Sequence, residues 1–367
     1  PKLEPEKSAE VNSEADTTAS LTESAFLAAR LSRLRFLLYD ERRKTSQQPE
    51  SRRIHAAIAG TTAQGLTGEQ LQDLTPRLLE NLRLLPFESR KHATAIFNYL
   101  LVCGLEGADA ALYKPIMELF RDFVDANFER LMTIIVEGHD TSTHGAADVV
   151  LHYGSMYRSC LRHPSLYRQL VGSTERAQRF VFPFLDIYVH LPNFDVSSDA
   201  MECLRASLAA NGDRVTQDEE TAAEIASIAA EFLSRDYEEV WDKRFNLRLL
   251  SDTANYMTRR VALQILSTVL LSRSNYAIMI RYVESRTNLI LIMQQLRDTS
   301  PHISLDAFHV FKVFVANPNK PPEVAKILRD NKAKLCAYLT TLHQDKEDTD
   351  AQLRDEKALI ISTIDEL

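Results

Sequence analysis

The stretch FHVFKVFVANPNKPPEVAKIL, Phe308–Leu328, decides how the rest of the chain is read. Ala307, just before it, and Val310, Phe311, Phe314 and Val315 follow i, i+3, i+4, i+7, i+8 spacing, which puts five apolar side chains on one helix face. Phe308 falls at the edge of that face, and Asp306 and His309 are expected to point away from it. Pro318 ends the helix, because proline donates no backbone hydrogen bond and disfavours helix in the residue before it. A second helix can start near Pro321 or Pro322, since a first turn tolerates proline. Val324, Ile327 and Leu328 give that helix its own apolar side, set to pack beside the helix that carries Met293.

The same unit recurs. SRKHATAIFNYLLVCG (89–104), DVVLHYGSMYRSCLRHP (148–164), VSSDAMECLRASLAAN (196–211), TRRVALQILSTVLLSR (258–273) and SLDAFHVFKVFVANP (304–318) each place a small residue ahead of large apolar residues at helical spacing. The small residues are Ala95, Gly154, Ala200, Ala262 and Ala307, and each allows a neighbouring helix to approach closely. They lie 59, 46, 62 and 45 residues apart, an interval of two or three helices. One unit cannot cover its own apolar face, whereas stacking buries a continuous core. The expected fold is therefore all-α: a right-handed α-solenoid of armadillo/HEAT-like repeats from residue 21 to 367, curved and with a concave binding face. Residues 1–20 hold little to bury and read as disordered or frayed. The missing initial methionine reads as a trimmed chain. The stretch NGDRVTQDEETAAEIA (211–226) reads as a charged loop, and Ile360, Ile361 and Ile364 suggest a capping helix over the last repeat.

Composition narrows the function. The chain has 367 residues and a formal net charge of -8, which weighs against a nucleic-acid footprint. Ten glycines and 13 prolines are few for a strand-rich fold. Cys103, Cys160, Cys203 and Cys336 are far apart in apolar helical patterns, as expected of reduced, buried thiols in a cytosolic protein. No apolar run approaches membrane-spanning length.

Enzyme signatures are missing. There is no phosphate-binding glycine loop, G-x-S-x-G, H-E-x-x-H or EF-hand loop. His139, Asp140 and His144 in EGHDTSTHGAAD could suggest a metal cluster, but residues five apart do not share a helix face, so a polar turn is the expectation. His163, before Pro164, reads as a basic cap on helix carbonyls. His309 has no nucleophile nearby in sequence. No cofactor, metal or small-molecule substrate is expected. A nuclear-import type of armadillo binder would need ladders of tryptophan, and Trp241 is the only one.

A binding face is better supported. In NYMTRRVALQILSTVLLSRSNY, Tyr256, Arg260, Gln264 and Ser267 share one helix face, with Leu263 and Leu271 along the same stripe. Ala262, Leu266, Val269 and Leu270 form the core side. An aromatic ring and a guanidinium are the residue types that dominate interface hot spots. Arg273 could instead serve the last carbonyls of the helix, and Tyr276 could pack on the next repeat.

These residues also carry a family likeness. FHVFKVFVANPNK preceded by LRDTSPHISLDA, the stretch NYMTRRVALQILSTVLLSRSNYAIMIRYV, and NFDVSSDA resemble the calcium-binding protein 39 family, in fungi the Hym or conidiophore-development HymA type. LPFESRKHATAIFNYLL and YRSCLRHPSL extend the likeness, which covers residues 80–360. The stretch 211–245 is longer and more divergent than is usual, and nothing in these residues matches the calcium-binding part of the family's name. The resemblance implies a horseshoe-shaped scaffold that binds germinal-centre (Ste20-like) kinases or STRAD-like pseudokinases and stabilises their active conformation. In animals the family joins STRAD to liver kinase B. In fungi it serves a morphogenesis and polarity network working through a nuclear Dbf2-related kinase, which implies a cytoplasmic protein concentrated at sites of polarised growth or septation.

Two surfaces are implied. The concave face that meets the kinase maps onto Phe194, Tyr256, Arg260, Gln264, Arg273 and Tyr276. A pocket for the partner's Trp-Glu-Phe tail maps onto Met293 and onto Arg329, Asp330 and Lys332. Two positions depart from the family pattern. Gln264 stands where the family often has lysine, and Asp330 stands where it has a basic residue, with Arg329 and Lys332 as substitutes. A passive adaptor that assembles a signalling complex without altering kinase activity is the alternative expectation.

Overall fold

The structure is a computed structural model that describes residues 75–102, 118, 120–141, 147–209, 219–344 and 350–367. Every regular element among the described residues is helical, so the fold is the all-α helical-repeat class that the spacing predicts. No helix among them is long and apolar enough to cross a membrane. The disordered segment expected over 1–20, the domain start at 21, Cys103 and His144 lie outside the described residues. The described residues fall into two compact units. One takes 75–169 and 192–199, and the other takes 170–191, 200–209 and the residues from 219 onward.

In the first unit, α1 (Phe87–Val102) and α2 (Phe128–Glu137) both pack on α3 (Ala147–Cys160). Polar pairs fix the α1–α3 register. Arg90 meets Asp148 at 2.6 Å, and the Asn98 amide donates to the Ser155 hydroxyl at 2.8 Å. Gly154 is required by a close approach: a Cβ built there would lie 1.7 Å from the Asp199 carboxylate. That carboxylate is itself held by Arg158 at 2.8 Å. His139 is no solvated turn residue. It is fully buried, its Nδ1–H donates to the Ile135 carbonyl at 3.0 Å, and Nε2 lies 3.7 Å from the Asp199 carboxylate. His163 does cap a helix, but not its own: Nε2–H donates to the Leu101 carbonyl, at the end of α1, at 2.6 Å.

The helix α4 (Pro164–Val171) leads on to α5 (Thr174–Phe180) and α6 (Phe182–Asp186). The first six residues of α7 (Phe194–Leu208) count with the first unit and the remainder with the second. In the second unit, α8 (Glu219–Arg235) begins inside the stretch expected to be a charged loop, whose residues 219–226 are helical. It runs on into a π-helical stretch, Glu238–Leu249, that packs on α6. The buried residues there are Val240, Trp241, Phe245, Asn246 and Leu249, and Leu250, which follows the stretch, is buried too. At α-helical pitch these six would spread over about 260° of the helix circumference. Bonds from i to i+5 wind the chain at about 4.4 residues per turn, and the same six then share an arc of about 130°. Burial of one face thus selects the wider coil. Trp241 packs against Phe245 at a tilt and against Tyr282 edge-to-face, with centroids 4.9 and 6.0 Å away. The Gln295 amide closes the stretch by donating to the Leu250 carbonyl at 3.0 Å.

Beyond it, α9 (Tyr256–Leu271) leads through α10 (Tyr276–Val283) and α11 (Arg286–Leu296) to α12 (Pro301–Ala316), which packs on both α9 and α11. The helix α12 starts at Pro301, its first-turn proline, and stops at Ala316 before Pro318. Phe308, expected at the edge of the apolar face, is fully buried with Phe311 and Phe314, because neighbouring helices cover α12 on more than one side. α13 (Pro322–Asp330) follows as expected, and it packs beside α11. After α14 (Lys332–Thr341), the last helix, α15 (Ala351–Asp365), packs on α12 and α14. It buries Ile360 and Ile364 and starts on an Asp350 cap that accepts from the Leu353 N–H at 3.0 Å. Cys160 and Cys203 are buried free thiols, whereas Cys336 is only half-buried.

Candidate partner-binding face

The site is built on α9. Its start is fixed by Asn255, whose side chain accepts from the Thr258 N–H at 2.9 Å. Its inner side is fully committed, with Ala262, Ile265, Leu266, Val269 and Leu270 buried. Leu263, expected on the binding stripe, is fully buried as well. It borders the stripe on a flank that packing on a neighbouring helix has already closed. Tyr256 is 38% exposed, Arg260 keeps a third of its side chain exposed, and Gln264 is half-buried. These three lie at i, i+4 and i+8 and form one ridge, as the spacing predicts. Arg259, next to Arg260, is spent inside the fold on Asp298.

Two residues that sequence reasoning missed complete the ridge. Asp306 on α12 lies 3.5 Å from Arg260 Nε and accepts from the Gln264 amide at 3.3 Å. Arg205 on α7 donates to the Gln264 side-chain oxygen at 3.4 Å and pairs with Glu202 at 3.3 Å. Gln264 therefore accepts from one helix and donates to another. A lysine there, the residue that the resembling family often has, could only donate. Neither Asp306 nor Arg205 is visible from the periodicity of α9, because each comes from a different helix.

The remaining positions do not all join this ridge. Arg273 and Tyr276 follow the far end of α9 and are both exposed, Tyr276 at 64%. A rise of 1.5 Å per residue makes the 16 residues of α9 about 24 Å long, so these two lie past the end opposite Tyr256. The turn carrying them is rigid, since buried Asn275 donates to the Val269 carbonyl at 3.1 Å. Phe194 is 62% exposed at the first residue of α7, in the first unit.

The tail-pocket positions are more heavily engaged. Met293 is half-buried on α11. Arg329 Nε donates to the Leu367 carbonyl at 3.0 Å, and Lys332 donates to the Asp365 carbonyl. Both basic residues thus hold the end of α15. Asp330 pairs with exposed Lys326 at 2.5 Å, one turn earlier on its own helix. Trp241 is wholly internal and offers nothing to a surface ladder.

Comparison with known proteins agrees with this fold. A family model described as Mo25-like matches residues 6–367. A putative MO25-like protein of Arabidopsis thaliana is 36% identical over 276 residues, 75% of this chain and 70% of its own. The human calcium-binding protein 39-like is 31% identical over 290 residues, 79% of this chain and 74% of its own. The conidiophore development protein hymA of Emericella nidulans is 26% identical over 311 residues, covering 80% and 74%.

Proposed function

The chain belongs to the Mo25-like family of scaffold-type proteins, and we propose that it binds a germinal-centre (Ste20-like) kinase or STRAD-like pseudokinase through the α9 ridge and holds it active. One observation carries this reading: the ridge sets an exposed tyrosine and a partly exposed guanidinium on a helix whose opposite side is wholly buried. Aromatic and arginine anchors on a rigid support are the chemistry of interface hot spots. A kinase samples active and inactive positions of its regulatory helix. A rigid surface that touches only the active one shifts the population by its differential affinity. A swing from 1:99 to 99:1 takes about 5.5 kcal/mol, within reach of a few such anchors. Arg273 and Tyr276, past the far end of a helix about 24 Å long, extend the contact to a span that suits a standard-size interface.

A second contact for the partner's tail near Met293 would add effective concentration by tethering. Because Arg329 and Lys332 hold α15, such a tail would be seated more by apolar contact with Met293 than by those two charges. In cells the protein would act in the cytoplasm, concentrated where growth is polarised. The test is an assay of a purified germinal-centre kinase with and without this chain. A rise in rate supports activation, and an unchanged rate with tight binding supports a passive adaptor instead.

A further inference from the structure

Arg260 does not project from α9 unsupported. Its Nε is buried, yet a third of its side chain is exposed, so the exposure belongs to the rest of the side chain. Among the described residues, the one charged group at ion-pair distance is Asp306, 3.5 Å from Nε, and no hydrogen bond engages Nε or the two terminal nitrogens, so Asp306 faces Nε as a charge pair. Asp306 is only 18% exposed and also accepts from Gln264, which Arg205 holds from its other end. Two residues of α9, Arg260 and Gln264, therefore converge on one carboxylate of α12, and α7 is linked to it only through Gln264. The separations of 3.3–3.5 Å are too long for these contacts to contribute much strength. Their geometry is what matters. A guanidinium whose Nε faces a carboxylate turns the edge formed by Nη1 and Nη2 away from it as a two-pronged donor, which matches a second carboxylate.

We propose that Asp306 is a positioning residue: it orients Arg260 before the partner arrives, so that the free guanidinium edge receives a carboxylate side chain of the partner. This rests on the reading of α9 as the partner-binding face. A long, mobile arginine loses rotamer freedom when a partner fixes it, and prior fixing by Asp306 removes part of that loss. The partner need not touch Asp306 itself.

A double-mutant cycle tests this, using a purified germinal-centre kinase catalytic domain as the probe and the full chain as the binder. Arg260→Ala is expected to weaken binding about tenfold or more, and Asp306→Asn by about three- to tenfold. The double variant is expected to match Arg260→Ala alone, because Asp306 acts only through Arg260. Asp306→Glu keeps the charge within reach of Nε and is expected to stay within about twofold of wild type, which a loss due to repacking of α12 would not allow. Asp298→Asn, which breaks the neighbouring Arg259 pair, is expected to leave affinity unchanged. Wild-type affinity for Asp306→Asn, an equal loss in the Arg260→Ala background, or an equal loss for Asp306→Glu would each overturn the inference. Wild-type affinity for Arg260→Ala would instead refute α9 as the partner face, and the inference with it.

Discussion

At the scale of single residues, a few side chains hold helices together from inside. Burial pushes the His163 imidazole down to about 4, although its bond to Leu101 and the nearby Arg121 and Arg162 also act on it. An imidazole with a folded value below its unfolded one takes up protons on unfolding. Its contribution is therefore complete above the ordinary value near 6.5 and is lost as pH falls toward 4. At pH 5 the loss is about 2 kcal/mol. Urea melts at pH 7 and pH 5 check this: wild type should lose stability, and His163→Gln should lose markedly less. Gly154→Ala sets a Cβ against the Asp199 carboxylate that Arg158 holds. It should cost about 1–3 kcal/mol, read as a lower melting temperature. The need for a small residue at 154 was legible in the repeat pattern. The burial of His139 was not, because the partner that accompanies it, Asp199, lies 60 residues away in the sequence.

At the scale of elements, the stretch Glu238–Leu249 shows where α-helical periodicity stops being a guide. Its buried positions come in adjacent pairs, 240 and 241, 245 and 246, 249 and 250, a spacing that fits no single α-helical face. Read at the wider π pitch, the pattern was there to be found. The polar core beside it was not, since it joins three elements. The Tyr282 hydroxyl donates to Asn246 at 3.0 Å, the Asn246 amide donates to Asn288 at 3.1 Å, and the Asn288 amide donates to the Tyr282 carbonyl at 3.1 Å. Asn246→Leu should leave a buried hydroxyl and a buried amide oxygen without partners and cost about 2–4 kcal/mol. Hydrogen exchange should then show faster opening of 238–249 and 282–288, with α15 unaffected. The α9 ridge was legible for a simpler reason: three of its residues share one helix at spacing four. Leu263 was misplaced because periodicity gives a direction around a helix but not which neighbour closes that flank.

At the scale of the whole molecule, the all-α repeat class followed from a small residue recurring ahead of large apolar ones. The structure keeps that logic at Ala200, Ala262 and Ala307, all fully buried. The proposed face was legible only in its α9 positions, since the polar links that tie Arg205, Gln264, Asp306 and Arg260 together cross between helices and leave no trace in any one repeat. The central claim is that this face activates a kinase without chemistry of its own. The direct measurement is the turnover rate of a purified germinal-centre kinase with wild-type chain and with Arg260→Ala, each at saturating concentration and each confirmed folded by circular dichroism. The account predicts a higher rate with wild type, about tenfold or more, and a return most of the way to basal with Arg260→Ala. Equal activation by the two proteins, or none by wild type that binds the kinase tightly, would contradict it.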